Sequence, residues 1–190
     1  MSTVLIAEKN AKAKKMMLWF GMISMTMTFA GLTSAYVVSS NRSDWIQQID
    51  LPIAFTISTL LMVLSSGTFY MAKQLLIKDT SKSLLFLGAT ILLALFFIYF
   101  QFQGFSAFIE QGYYFTGAES SINTSYLYVL VLLHLVHLFG GLIVVSIVFY
   151  QTLIGAYKAE NTLGFELAVT FWHFLDFLWL YLFLFVSFFS

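Results

Sequence analysis

The sequence predicts an all-α membrane protein: a five-transmembrane-helix bundle with a cytoplasmic N-terminus and a periplasmic C-terminus. Three observations predict it. Of the 190 residues 60% are hydrophobic and only 9% are charged, where an ordinary soluble domain carries roughly 25% to solvate its surface. The apolar residues fall into five runs, each beyond the roughly 18 residues that cross a hydrocarbon core. Basic residues gather in alternate connections, and Lys and Arg in short loops are retained on the cytoplasmic side.

The first span runs from about Met16 to Val38, behind Lys9, Lys12, Lys14 and Lys15. This opening is charged like a secretory signal, but its apolar stretch of about 23 residues is too long and no small-x-small cleavage site follows. It reads as a retained span. The second, about Leu51 to Leu76, carries the single proline, Pro52, in its first turn, where a missing N–H costs little. The third covers Leu84 to about Gln103, the fourth about Ser125 to Tyr150 and the fifth about Phe165 to Phe189. At about 1.5 Å per residue each crosses a core of roughly 30 Å. Lys73, Lys78 and Lys82 sit in the second connection and Lys158 in the fourth, so Arg42 alone opposes the basic side. The connection from about Gly104 to Thr124 reads as a polar outer loop containing Glu110 and Glu119. Nothing in composition or repetition divides residues 1–190, so a single membrane domain is expected.

Composition and pattern weigh against several functions, the transporter remaining as a third possibility. Nine basic residues balance nine acidic ones without a basic stripe, which leaves nucleic-acid binding unsupported. The absence of Cys removes disulfides, thiolate metal sites and a Cys nucleophile. A transporter would need broken helices at mid-membrane, and no span carries a Gly/Pro interruption.

Five ionisable residues inside the apolar runs define the candidate site: His134 and His137 in the fourth span, and Glu166, His173 and Asp176 in the fifth. A charge at the bilayer centre costs about 2.5–3.5 kcal/mol on insertion scales, so such groups face protein, water or a partner. His134 and His137 are three apart, as are His173 and Asp176, which places each pair on one helical face. Counted from the cytoplasmic end at about 1.5 Å per residue, His134 lies at about 24 Å, His137 at about 20 Å, Asp176 at about 17 Å and His173 at about 12 Å. Asp176 is therefore expected to bond a histidine of the fourth span, His137 rather than His134. Glu166 lies near the interface, where charge is cheaper.

These residue types admit a metal site of imidazoles and carboxylate, axial haem ligation, a proton relay, or an interhelical hydrogen-bond network joining the fourth and fifth spans. Gly140 and Gly141 directly after His137 favour close helix contact over room for a macrocycle, and so favour the network. Ala30 to Ser34, Gly31 to Ala35, and Ser65, Ser66 and Gly67 are further small residues that let backbones approach. The aromatic run Phe96, Phe97, Tyr99, Phe100 and Phe102 reads as lipid-facing or packing surface.

The same residues carry a pattern. Phe171-Trp172-His173-Phe174-Leu175-Asp176-Phe177-Leu178-Trp179-Leu180-Tyr181-Leu182-Phe183, with Glu166 ahead of it, resembles the last-helix signature of the cytochrome c oxidase subunit III family of haem-copper oxidases. Leu133-His134-Leu135-Val136-His137-Leu138-Phe139-Gly140-Gly141 resembles the histidine segment of that family's preceding helix. Leu51-Pro52, Ser65-Ser66-Gly67 and Ala30-Gly31-Leu32 through Ala35-Tyr36-Val37 are similar at their own places. The length is similar to the short five-helix bacterial form. One position departs: where the family places a buried acid after a Ser in the first shared helix, this chain has Ser24-Met25.

The resemblance implies a non-catalytic subunit without a cofactor or metal of its own, in a bacterial inner membrane. It implies a catalytic subunit I as partner, carrying haem and copper, with phospholipid in an interhelical cleft and a place in a respiratory assembly or supercomplex. The work served is oxygen reduction coupled to proton translocation. Alternatives are a haem-binding membrane anchor, or an accessory subunit of a nitric oxide reductase or quinol oxidase. With Met25 at the acid's position, any role of that acid is either dispensable here or supplied by a paralogue.

Overall fold

The computed structural model describes residues 2–42, 45, 51–117, 120–157 and 162–189; Glu119 and Lys158 lie outside the described residues. Among the described residues five helices follow one another: α1 (Ser2–Ser39), α2 (Ile53–Leu75), α3 (Thr80–Glu110), α4 (Ile122–Leu153) and α5 (Leu163–Phe189). All five are long and apolar enough to cross a membrane.

Two bounds differ by seven residues or more from those the apolar runs predict. α1 begins well before Met16, because Lys and Ala are good helix formers and prolong the helix past its apolar stretch. α3 runs through Gly104 to Glu110, so the first seven residues of the expected outer loop are helical. The reason is packing: Phe105 and Phe108 are buried against Phe55 and Tyr128. At Gly104 a Cβ would stand 2.8 Å from the Phe55 ring, so the glycine marks a close approach of α2 and not a helix end.

The ends are set by local chemistry. Asp79 caps α3, its carboxylate accepting the Lys82 backbone N–H at 3.1 Å. That bond, the largest cause, and the Lys82 side chain hold the Asp79 carboxyl below its usual value. Ser121 and Thr124 form a reciprocal capping box at the start of α4. Gly112 and Gly155 take positive φ, 84° and 66°, just beyond α3 and α4, where a left-handed residue ends a helix at least steric cost. The short link after α3 is tied back to α4 by Ser125 Oγ donating to the Phe115 carbonyl and Tyr128 donating to that of Tyr113.

α4 and α5 each pack on three helices, α5 on α1, α2 and α4, and α4 on α1, α3 and α5, while α2 and α3 share the most extensive contact. The main core joins Met62 and Phe69 of α2, Phe97 of α3, Leu138 and Val145 of α4, and Trp172, Leu175 and Trp179 of α5. α1 lies over the α4–α5 groove through a second cluster, with Phe29 between Leu130, Leu178 and Leu182. Thr33 and Tyr181 share a hydroxyl bond of 2.8 Å there. Large apolar side chains point outward as well, as lipid contact requires; Val38, Ile53, Phe177 and Phe188 are all more than two-thirds exposed.

Candidate functional site

The polar residues of α5 converge on α2. Trp172, Asp176 and Trp179 stand at i, i+4 and i+7, one face of a helix. Trp172 Nε1 donates to Ser65 Oγ at 3.1 Å, and Trp179 Nε1 donates to Thr59 Oγ1 at 3.0 Å. The Ser66 hydroxyl bonds His173 Nδ1. Asp176 Oδ2 is 3.9 Å from the same nitrogen, and the carboxylate is almost wholly buried. Residue numbers rise on α5 as they fall on α2, so these contacts form one antiparallel seam.

A neighbouring seam ties α2 to α3. Gln101 Nε2 donates to Ser58 Oγ at 2.8 Å, Thr68 and Thr90 hydroxyls meet at 2.8 Å, and Ser83 donates to the Ala72 carbonyl at 2.8 Å. Such bonds hold where lipid provides no alternative partner, each contributing about 0.6–2 kcal/mol.

The α4–α5 contact is made differently. His134 is fully enclosed between Trp179 and Phe97, with ring centroids at 5.1 Å and 6.2 Å, and neither ring nitrogen has a hydrogen-bond partner among the described residues. His137 Nδ1 donates at 2.8 Å to the Leu133 carbonyl of its own helix, and its ring rests on Phe29 of α1. A Cβ at Gly141 would stand 2.7 Å from Leu175 and 3.3 Å from Trp172, so this glycine permits the close approach. Gly140, Gly31 and Gly67 have nothing within 4 Å of a built Cβ, and do not serve that purpose.

The expected Asp176–His137 bond is not formed. Neither oxygen of Asp176 has a hydrogen-bond partner among the described residues. The two residues come close to level, since His134 meets Trp179 and Gly141 meets Trp172 and Leu175 on either side of them. They differ in direction around their helices: Asp176 shares the α2-facing stripe, and His137 faces α1. Glu166 stands apart at the start of α5, accepting from Thr162 Oγ1 at 3.3 Å and 3.8 Å from Lys15 Nζ. Both charged groups are partly exposed, and such a pair contributes little.

Three histidines thus point to three places: His134 into aromatic rings, His137 to its own helix, His173 to Ser66. That geometry does not fit a shared metal or a haem held between two of them, and the described residues include no group of three His, Asp or Glu placed around a metal position.

Over residues 14–190 the chain matches the family model described as cytochrome c oxidase subunit III. The chain belongs to that family. Among curated relatives, cytochrome c oxidase subunit 3 of Bacillus sp. (strain PS3) is 26% identical over 184 residues, which is 93% of this chain and 87% of that one. Cytochrome bo(3) ubiquinol oxidase subunit 3 of Buchnera aphidicola subsp. Acyrthosiphon pisum (strain APS) is 30% identical, over 94% of this chain and 88% of its own. Probable cytochrome c oxidase subunit 3 of Rickettsia conorii is 32% identical over 74% of this chain but 47% of its own length. Within this subunit III chain, Met25 is half-buried on α1 and Ser24 is exposed.

The residues missed by reading the sequence of this subunit III are the acceptors on α2 and the glutamine on α3. A signal exists for them. Trp172 and Trp179 stand seven apart on one span, and hydroxyls recur about two turns apart on the other at Ser58, Thr59, Ser65 and Ser66. The bonded hydroxyls, Ser65 and Thr59, are six apart, so the spacing marks faces that can pair without giving the register.

Proposed function

We propose that this chain is a non-catalytic structural subunit of an aerobic haem-copper oxidase, holding the catalytic subunit I in its working form while that subunit reduces oxygen and translocates protons. Family membership carries the reading, and the use of the α5 polar residues in bonds to α2 supports it. Side chains committed to Ser65, Ser66 and Thr59 join helices. Haem and copper belong, on this reading, to the partner subunits.

The chain forms one membrane domain in a bacterial inner membrane, N-terminus in the cytoplasm and C-terminus in the periplasm. The charge pattern supports that orientation. Phospholipid occupies the cleft of about 270 Å³ lined by Leu18, Val144, Gly164, Leu167, Ala168 and Phe171, whose walls are apolar. With Met25 in place of an acid, α1 contributes packing without a carboxylate in its apolar stretch.

The test is purification of the native membrane complex through a tag on this chain, in mild detergent. The expected result is a copurifying haem- and copper-bearing subunit, with no haem absorption in this chain once the complex is dissociated. Stoichiometric haem retained by this polypeptide alone would favour the anchor reading and overturn the proposal.

A further inference from the structure

His173 is out of place for a lipid-facing residue. It lies about 15 Å from the first residue of α5, ten residues at 1.5 Å each, and so near the middle of a core of roughly 30 Å. Its side chain is 35% exposed, whereas Asp176 behind it is 6% exposed. Nδ1 is engaged by Ser66, and Nε2 has no partner among the described residues. Hydrocarbon at that depth offers none, and phospholipid headgroups lie too far toward the interface.

The Ser66 hydroxyl, which can donate or accept, occupies Nδ1, so in either tautomer Nε2 is the nitrogen left to meet a partner. Around it the surface suits a helix: Thr170 and Phe177 are exposed one turn away on either side, and Gly67 beside Ser66 leaves open space where a Cβ would be. Small residues of this kind let a second backbone come close.

We infer that this face seats a transmembrane helix of a partner chain, which presents a neutral hydroxyl or amide, able to donate or accept, to His173 Nε2. Ser66 is a positioning residue that fixes the ring by engaging Nδ1. The reading of the chain as an oxidase subunit is needed only to say whose helix it is.

The test places a benzophenone side chain at Thr170 or Phe177 in the full complex in native membranes, followed by irradiation and mass spectrometry of the adduct. The expected adduct is a membrane-spanning peptide of another subunit with a Ser, Thr, Tyr, Asn or Gln within one turn of the attachment point. In parallel, His173→Leu should speed dissociation of the complex in detergent by roughly three- to tenfold, the worth of one interhelical bond. His173→Gln, whose amide can donate or accept near the place of Nε2, should restore most of the lifetime, and unchanged helix content in both variants shows that the chain still folds. Adducts with lipid alone or with a second copy of this chain, or a His173→Leu complex as long-lived as the unaltered one, would overturn the inference. If a haem-bearing subunit copurifies while adducts are with lipid alone, the docking face fails and the proposed function stands. If the adduct is to the stated kind of helix in a membrane protein that carries no haem, the docking face stands and the proposed function fails.

Discussion

α5 meets two neighbours by two kinds of chemistry. Toward α2 it presents indole N–H groups and an imidazole to hydroxyls. Toward α4 it presents bare surface, with Leu175 and Trp172 against Gly141 and Trp179 against an imidazole that bonds nothing. Both suit a membrane, where lipid tails are as apolar as leucine and helices gain nothing from merely hiding apolar surface. One seam gains from partners that lipid cannot supply, the other from closeness that only a glycine allows.

The contrast breaks most severely at Gly141. Gly141→Leu forces α4 away from α5, and overpacking should cost about 3 kcal/mol in unfolding of the purified subunit in detergent. Gly140→Leu, one residue along and facing open space, should leave unfolding almost unchanged. Next comes the polar seam. Trp179→Phe removes a donor from the buried Thr59 hydroxyl and opens space beside Phe97, for an expected loss of about 2 kcal/mol in the same assay.

His134 sharpens the comparison in the opposite direction. A buried polar group without a partner destabilises the site it occupies, so His134→Leu should leave stability unchanged or raise it by up to about 1 kcal/mol. A loss as large as that at Trp179 would mean that the α4–α5 contact is polar after all. The smallest effect lies outside the membrane. Asp79 is held below its ordinary carboxyl value by the Lys82 N–H, so its cap is fully effective above the unfolded value of about 4 and is lost as pH falls through the lower folded value. Protection of the Lys82 amide, its exchange rate taken relative to the intrinsic rate at each pH, should fall on acidification through that window, and Asp79→Asn should abolish that loss of protection.

The spans were legible in the sequence because lipid demands runs of apolar residues of fixed length, and the five helices of the structure carry those runs. Where a helix continued beyond its run, at Lys9 to Lys15 or Phe105 to Glu110, the cause was helix propensity or packing of the kind that hydropathy does not register. Depth was legible too, for rise per residue nearly levels His137 with Asp176. Direction around the helix was not, because a three-residue spacing groups His173 with Asp176 without saying which neighbour they face. That choice was made by Ser65, Ser66 and Thr59, whose hydroxyls read on their own as small residues for close contact. Only the packing of α5 on α2, which brings Trp172, His173 and Trp179 against them, gives them partners. Gly67 and Gly140 show the converse, since a small residue permits contact without creating it.

The central claim is that the polar side chains of α5 join it to α2. A pair of double-mutant cycles on the purified complex tests it most directly, one combining Trp172→Phe with Ser65→Ala and the other Asp176→Asn with His137→Gln. The account predicts a coupling of about 1 kcal/mol in the first and none in the second. Coupling absent from the first, or as strong in the second, would contradict it.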